Sequence, residues 1–370
     1  MTSFDEYKSK VSIIQVLEDL GYRLDKSKGR VTPTYKLYDG KGDKIDEIII
    51  KNPLDSKNQY YFDRNHKGGD LISFLRNHIS KFPQFHHHNE YVHINKILGH
   101  YSKIEYVPKV ESSSSFIGKQ DFDKNRFTET KPEIQDLTYL TRERNISRDV
   151  VEEFLPFIVK VKDNQANNDF QNIAFPYTTP GKQEVSNYEL RNYGFKGMAS
   201  GGDKTNAVWI ATNAPNPNLV KDIYFFESAI DAMSFYELNK SKLNLENSAL
   251  ISVGGYLSHN QILNSINHFP NAKLNTAFDN DINGRLYDIR TYAIAHGKNV
   301  GITKKEGEYQ FIVGAKTFTL PEDKVSLENF RENSGFRKGA LVVHKAANNM
   351  KDFNEVLKTK NQQSHKPGMK

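Results

Sequence analysis

Two carboxylates one residue apart, Asp279 and Asp281, follow a short apolar run, Leu274 to Phe278, and precede Gly284. The run suits a buried parallel strand, and Leu286, Ile289, Tyr292 and Ala293 then recur at helical spacing. The pair thus falls on a strand-to-helix turn, where an α/β sheet displays its ligands. Two acids this close repel each other unless positive charge lies between them, and oxygen-only donors favour Mg²⁺ or Mn²⁺. Asp-x-Asp before Gly is also ordinary turn chemistry, so the pair alone decides nothing.

The elements around it narrow the choice. Asp222 to Phe226 reads as a second buried strand and ends at Glu227. Ala229, Ile230, Met233, Phe235, Tyr236 and Leu238 mark an amphipathic helix after it, with Asp231 in its first turn. A third strand, Ala249 to Val253, closes on Gly254-Gly255, and a helical segment runs from about His259 to Phe269. Strand and helix alternating three times describe right-handed parallel crossovers, so Glu227, Gly254, Asp279 and Asp281 converge on one rim. Glu227 and Asp231 each have a plainer reading as acids favoured at a helix N-terminus. Three acids at two strand ends favour a metal site.

This arrangement resembles the Toprim domain of topoisomerases, primases and some nucleases, on Glu227, Gly254, Asp279 and Asp281. Glu227-Ser228-Ala229-Ile230-Asp231-Ala232 and Asp279-Asn280-Asp281-Ile282-Asn283-Gly284 are similar to two segments of bacterial replicative primases. In the second, Asn280 stands for Gly and Asn283 for Ala; neither change touches a carboxylate. Gly68-Gly69-Asp70-Leu71-Ile72-Ser73-Phe74 resembles the end of the primase zinc-binding module, but the chain has no cysteine. A zinc site of the usual kind therefore cannot form, and residues 1–105 read as a zinc-less version of that module. Its helix carries Ile13, Ile14, Val16, Leu17 and Leu20 on one face and ends at Gly21. Leu137 to Ser147, with the hairpin segments Asn172 to Tyr177 and Glu184 to Arg191, resembles the opening of the primase catalytic core. Lys196 to Lys204 resembles the basic loop before Toprim.

The resemblance implies an α/β fold with α+β N-terminal parts and five regions. These are the module at 1–105, a linker at 106–125, a primase-core-like subdomain at 126–215, Toprim with its extension at 216–357, and a disordered basic tail at 358–370. It implies Mg²⁺ or Mn²⁺ on Glu227, Asp279 and Asp281, with Asp231 and Asp352 as outer acids and no zinc. For Asp352 the helix cap is the preferred reading. Arg191, Lys196, Lys204 and Gly254 would face phosphates; the lysines read equally as solvated surface. The implied activity is primer synthesis on single-stranded DNA from nucleoside triphosphates, beside a replicative helicase or mobilization protein, for a plasmid, phage or integrated element. A Toprim nuclease or nicking factor shares the acids, and a catalytically idle single-stranded-DNA-binding protein shares the fold.

Composition agrees. Over 370 residues, 51 Lys and Arg against 45 Asp and Glu leave a net charge of +6, which suits a polyanionic partner. Without cysteine there are no disulfides, and no apolar run of spanning length or secretory start is present, so the expected location is cytoplasmic, without membrane contact. His86-His87-His88, with His93, invites a metal reading, but adjacent histidines on regular structure cannot all face one ion. Ser112 to Ser115 mark the linker.

Overall fold

The computed structural model describes residues 3–25, 32–40, 43–63, 68–103, 121–166, 170–305, 307–336, 339–347 and 350–364. They form two compact units, Met1–Gln120 and Asp121–Lys370.

In the first unit, strands β1 (Arg23–Leu24), β2 (Thr34–Tyr38), β3 (Lys44–Lys51), β4 (Tyr60–Asp63) and β5 (Gly68–Gly69) pair antiparallel in chain order. Helices α1 (Phe4–Lys10), α2 (Ile13–Asp19), α3 (Leu71–Asn77) and α4 (Glu90–Tyr101) complete the unit. Ile13, Ile14, Val16 and Leu17 of α2 are buried against Tyr35, Ile48, Phe74 and Ile97, the core in which they were expected. The Gly-Gly-Asp segment has a packing explanation. A side chain on Gly68 would meet the Tyr61 carbonyl at 2.8 Å, one on Gly69 would meet Ser73, and Asp70 caps α3 by accepting from the Ser73 amide at 2.9 Å. His93 is buried and bonded to the Phe82 carbonyl at 3.1 Å, so it is a core histidine.

The second unit opens on an antiparallel sheet: β6 (Phe127–Thr130), β7 (Val159–Asp163), β8 (Gln171–Thr178), β9 (Val185–Asn192) and β10 (Phe195–Met198), paired in that order. Helix α5 (Arg148–Phe154) precedes β7. The expected hairpin is β8–β9, and Lys196, read as loop, lies in β10 beside Arg191 of β9. The central sheet has the order β11 (Trp209–Ala211), β13 (Ser248–Ser252), β12 (Asp222–Phe226), β14 (Lys273–Thr276), β18 (Val342–Val343). Its last four strands are mutually parallel, and β11 runs antiparallel at the edge. Helices α6 (Ala229–Asn239), α7 (His259–His268) and α8 (Ile282–Ala295) make the crossovers. Every residue of β13 is buried, as expected of a strand covered on both faces. A small meander, β15 (Val300–Lys305), β16 (Glu308–Val313) and β17 (Lys316–Pro321), and helix α9 (Leu327–Ser334) lie between α8 and β18, and α10 (Phe353–Ser364) ends the unit.

Four expectations change. The linker does not reach residue 125, because the Phe122 ring packs 6.1 Å from Phe127 and 5.8 Å from Tyr188; its residues 106–120 lie outside the described residues. The boundary at 215 is no break in packing. One core joins Leu140, Phe154, Phe175 and Trp209 to Phe226, Met233 and Leu357, and β11 enters the central sheet from before it. The basic tail is not disordered as far as Ser364: its residues 358–364 continue α10, whose preceding turn buries Phe353 and Leu357, while 365–370 lie outside the described residues. Finally, α6 is not amphipathic, since all residues from Ala229 to Tyr236 are buried. Phe353 of α10 packs on Phe235 at 4.9 Å and Phe154 of α5 on Tyr236 at 5.2 Å, which leaves α6 no solvent face. Among the described residues no helix is long and apolar enough to cross a membrane.

Candidate active site

The carboxyl ends of β12, β13 and β14 bring Glu227, Gly254 and Asp279 to the wall of one cleft of about 290 Å³. The register is held by backbone bonds between the strand ends, Val253 N–H to the Phe226 carbonyl at 3.0 Å and Gly255 N–H to the Glu227 carbonyl at 2.8 Å. Gly254 and Gly255 have φ of 75° and 81°, in the left-handed region that favours glycine. A side chain on Gly254 would also press on Met198 at 3.2 Å and Tyr177 at 3.3 Å. Beneath this rim lies a buried polar network. The Tyr177 hydroxyl bonds Glu189 Oε2 and Ser252 Oγ, each at 2.7 Å, and the Ala229 amide donates to Glu189 at 3.3 Å.

Five acids line the cleft: Glu189, which pairs with Arg191, and Glu227, Asp231, Asp279 and Asp352. Asp231 and Asp279 are each only 9% exposed. Burial, reinforced by the charges of Asp279, Asp281 and Asp231, pushes the Glu227 carboxyl up to about 8. Burial, with Asp352 and Asp279 nearby, pushes Asp231 up to about 7 although Ser228 donates to it at 2.5 Å. Asp279 is raised by burial too, against the opposing pull of Lys351, whose Nζ lies 3.2 Å from Oδ2. Glu227 Oε1 is buried without a hydrogen-bond partner. Among the described residues no three His, Cys, Asp or Glu side chains form a group that could hold a metal ion as they stand. The donor chemistry fits a hard divalent cation even so: every group is a carboxylate, one oxygen is orphaned, and the acids mutually oppose ionisation.

Cations share the cleft. Arg144, Arg191, Lys196 and Lys351 all line it. Arg191 is 9% exposed and paired with Glu189 at 2.5 Å, so it is engaged from below. Lys196 is exposed on β10. Arg144 and Lys351 escaped the sequence reading. Arg144 stands over the Tyr139 ring at 5.2 Å and donates to its hydroxyl at 2.6 and 2.9 Å. Asn145 follows at φ 55°, a conformation Asn tolerates. This turn is tied to α10, because Asn354 donates to the Arg144 carbonyl at 2.8 Å and Asn361 to that of Asn145 at 2.9 Å.

Two expected members stand elsewhere. Asp281 is not part of the cleft wall; it is the N-cap of α8 and accepts from the Gly284 amide at 3.0 Å, though its charge still acts on Glu227. Lys204 is exposed outside the cleft, on a turn fixed by Asp203, which accepts from the Thr205 and Asn206 amides at 2.8 and 2.9 Å. Asp352 keeps both readings: it lines the cleft and caps the start of α10, accepting from Glu355 N–H at 2.8 Å.

The Asp279 turn is held from behind. Lys345 Nζ donates to the Phe278 and Asp279 carbonyls at 3.3 and 3.2 Å and pairs with Asp288 of α8 at 2.8 Å. Asp288 is 2% exposed, and burial raises its carboxyl despite this partner. Lys345→Met strands that carboxylate and should cost about 3–5 kcal/mol in denaturant unfolding, with much of it regained in Lys345→Met/Asp288→Asn. Equal stability of the three proteins would show that the pair supports nothing.

Comparison with known proteins agrees with this topology. Residues 224–308 match the family described as Toprim-like, and residues 138–214 match a family described only as a protein of unknown function, DUF3991. No curated protein matches the chain. Among solved structures it is similar to the primase fragment of the bacteriophage T7 primase-helicase protein, at 13% identity and TM-score 0.36, over 69% of this chain and 83% of that one. It is also similar to a chain of the bacteriophage T7 lagging-strand DNA polymerase assembly with primase domains, at 15% identity and TM-score 0.28, over 44% of this chain and 64% of that one. At such scores neither likeness bears on function. The parallel order of β13, β12, β14 and β18, the acids at the strand ends and the match over 224–308 together make this a Toprim-containing protein.

Proposed function

We propose that the chain catalyses divalent-metal-dependent phosphoryl transfer on nucleic acid, as synthesis of short primers on single-stranded DNA. The observation that carries the reading is the meeting of acids and cations in one cleft: Glu227, Asp231, Asp279 and Asp352 face Arg144, Arg191, Lys196 and Lys351. Glu227 and Asp279 would hold Mg²⁺ or Mn²⁺, with Asp281 and Asp231 beside them. Such an ion neutralises charge on phosphate oxygens during in-line displacement. The chain's own residues do the rest. Arg144 and Lys196 would orient phosphates, and Gly254 lets the backbone come close to them. Arg191, held by Glu189 and donating to the Leu190 carbonyl at 3.2 Å, adds its fixed positive charge to the cleft wall. Nucleoside triphosphates and a single-stranded template are the corresponding partners, with a replicative helicase or a mobilization protein as a further one.

The test is to incubate the full chain with single-stranded DNA, labelled nucleoside triphosphates and Mg²⁺ or Mn²⁺, beside Asp279→Asn. Short products that fall at least about 1000-fold in the variant support primer synthesis. Metal-dependent cutting of the template that the variant abolishes would replace it with a nuclease. Binding without either reaction would overturn the enzymatic reading.

A further inference from the structure

Asp279 is claimed twice. Its Oδ2 takes the Lys351 ammonium at 3.2 Å, and the function proposed above gives the same carboxylate to a divalent ion. Among the described residues Asp279 is the one ion-pair partner of Lys351. A hard cation sits about 2.1 Å from a carboxylate oxygen, so an ion on Oδ2 would lie no more than about 5.3 Å from that ammonium. Like charges at this range repel strongly beside a carboxylate as buried as Asp279, which is 9% exposed. Lysine and ion therefore compete for one group.

The backbone keeps Lys351 at the turn whichever of them holds the carboxylate. Asn280, next to Asp279, donates its N–H to the Lys351 carbonyl at 2.6 Å, and Lys351 N–H donates to Glu355 Oε2 of α10 at 2.7 Å. The side chain is not fixed in this way. It is 62% exposed, sits on a flexible stem and lines the cleft together with Arg144 and Lys196. Arg144 and Arg191 lack this freedom, since Tyr139 holds one and Glu189 the other. Released from Asp279, an ammonium on so fixed a backbone stays within the cleft, and phosphate is the anion that a nucleotide brings there. We infer that Lys351 is an exchangeable counter-ion: it neutralises Asp279 until a divalent ion binds there, and then turns to the phosphates of the bound nucleotide. This rests on the function proposed above and adds the residue that couples metal binding to nucleotide binding.

The experiment uses the full chain without a template strand, so that no primer is made. Mn²⁺ binding is measured by electron paramagnetic resonance of the free ion, and binding of fluorescent ATP by anisotropy at saturating Mn²⁺. Lys351→Met should bind Mn²⁺ about 10-fold more tightly than the wild type, because a competing like charge is gone. The same variant should bind ATP about 10-fold more weakly once Mn²⁺ saturates the site, because a charged partner of the phosphates is gone. Lys351→Arg keeps the charge and should stay near the wild type in both. A merely structural role would weaken both affinities together, so the opposite signs separate the two. A wild type that binds Mn²⁺ and ATP, with Lys351→Met unchanged toward either or weaker toward both, overturns the exchange and leaves the proposed function standing. A wild type that fails to bind Mn²⁺, or fails to bind ATP, overturns both. Melting curves show that the variants are folded, and Lys351→Gln replaces Lys351→Met should the latter not fold.

Discussion

Glu227→Gln should make the metal-free protein more stable while removing its activity. Glu227 is pushed up to about 8 by burial and by the charges of Asp279, Asp281 and Asp231. A carboxyl raised in the folded state carries a stability contribution that is complete below its unfolded value, 4.5, and is lost as pH climbs through 8. Above that range the wild type keeps a buried charge without a counterion, and glutamine keeps the shape without the charge. The variant should therefore gain about 3 kcal/mol over the wild type near pH 9, and almost nothing at pH 4. Asp231, pushed up to about 7, adds a smaller loss of the same sign.

Divalent metal should close most of that gap. Mg²⁺ at about 100 times its dissociation constant would stabilise the wild type by about 2.7 kcal/mol, and Glu227→Gln by far less. Thermal melting across pH, with and without Mg²⁺, checks both halves without an activity assay. A wild type whose stability does not fall between pH 5 and pH 9 relative to the variant would show that Glu227 is not the strained group described here.

Gly284→Ala is the second large effect. An added Cβ would lie 1.9 Å from the Asp279 carbonyl oxygen, 2.9 Å from its carbon and 3.1 Å from its nitrogen. All three atoms are backbone, so no side chain can swing aside. Either α8 retreats or the Asp279 turn moves, and both break the Gly284 N–H bond to Asp281. The expected loss is about 3 kcal/mol, or roughly 6–12 °C of melting temperature for a unit of this size. Stabilisation by Mg²⁺ should be lost with it. Asn283→Ala, at the exposed neighbouring position, should change neither. A Gly284→Ala protein that melts and binds Mg²⁺ like the wild type would remove the close contact as a determinant of the site.

This contact also shows what kind of information the motif carries. In Asp279-Asn280-Asp281-Ile282-Asn283-Gly284 the first acid lines the cleft, the second caps the helix and the glycine lets the two elements touch. All of this happens within six residues, so a linear reading could find it. Asp281 is the instructive case: its spacing was legible and its orientation was not. A cap and a ligand require the same residue type at a strand-to-helix turn. Lys204 was misplaced for a related reason. Its charge was visible, but the turn that Asp203 builds, which carries it away from the cleft, depends on hydrogen bonds that composition does not show.

By itself the sequence determined the parallel crossovers, the acids at the ends of β12 and β14, and the glycine rim after β13. Each of these follows from local periodicity and from which residues a strand end can carry. The tertiary structure decided which cations join those acids. Arg144 and Lys351 come from segments on either side of the Toprim-like match, 138–214 and the region before α10, and line one cleft where Asn354 and Asn361 tie α10 to the Arg144 and Asn145 carbonyls. It also decided that α6 is buried on every side and that Lys345 reaches Asp288 behind the Asp279 turn. Contacts between residues far apart in the chain leave no period and no spacing in the sequence, because the distance between them is set by packing.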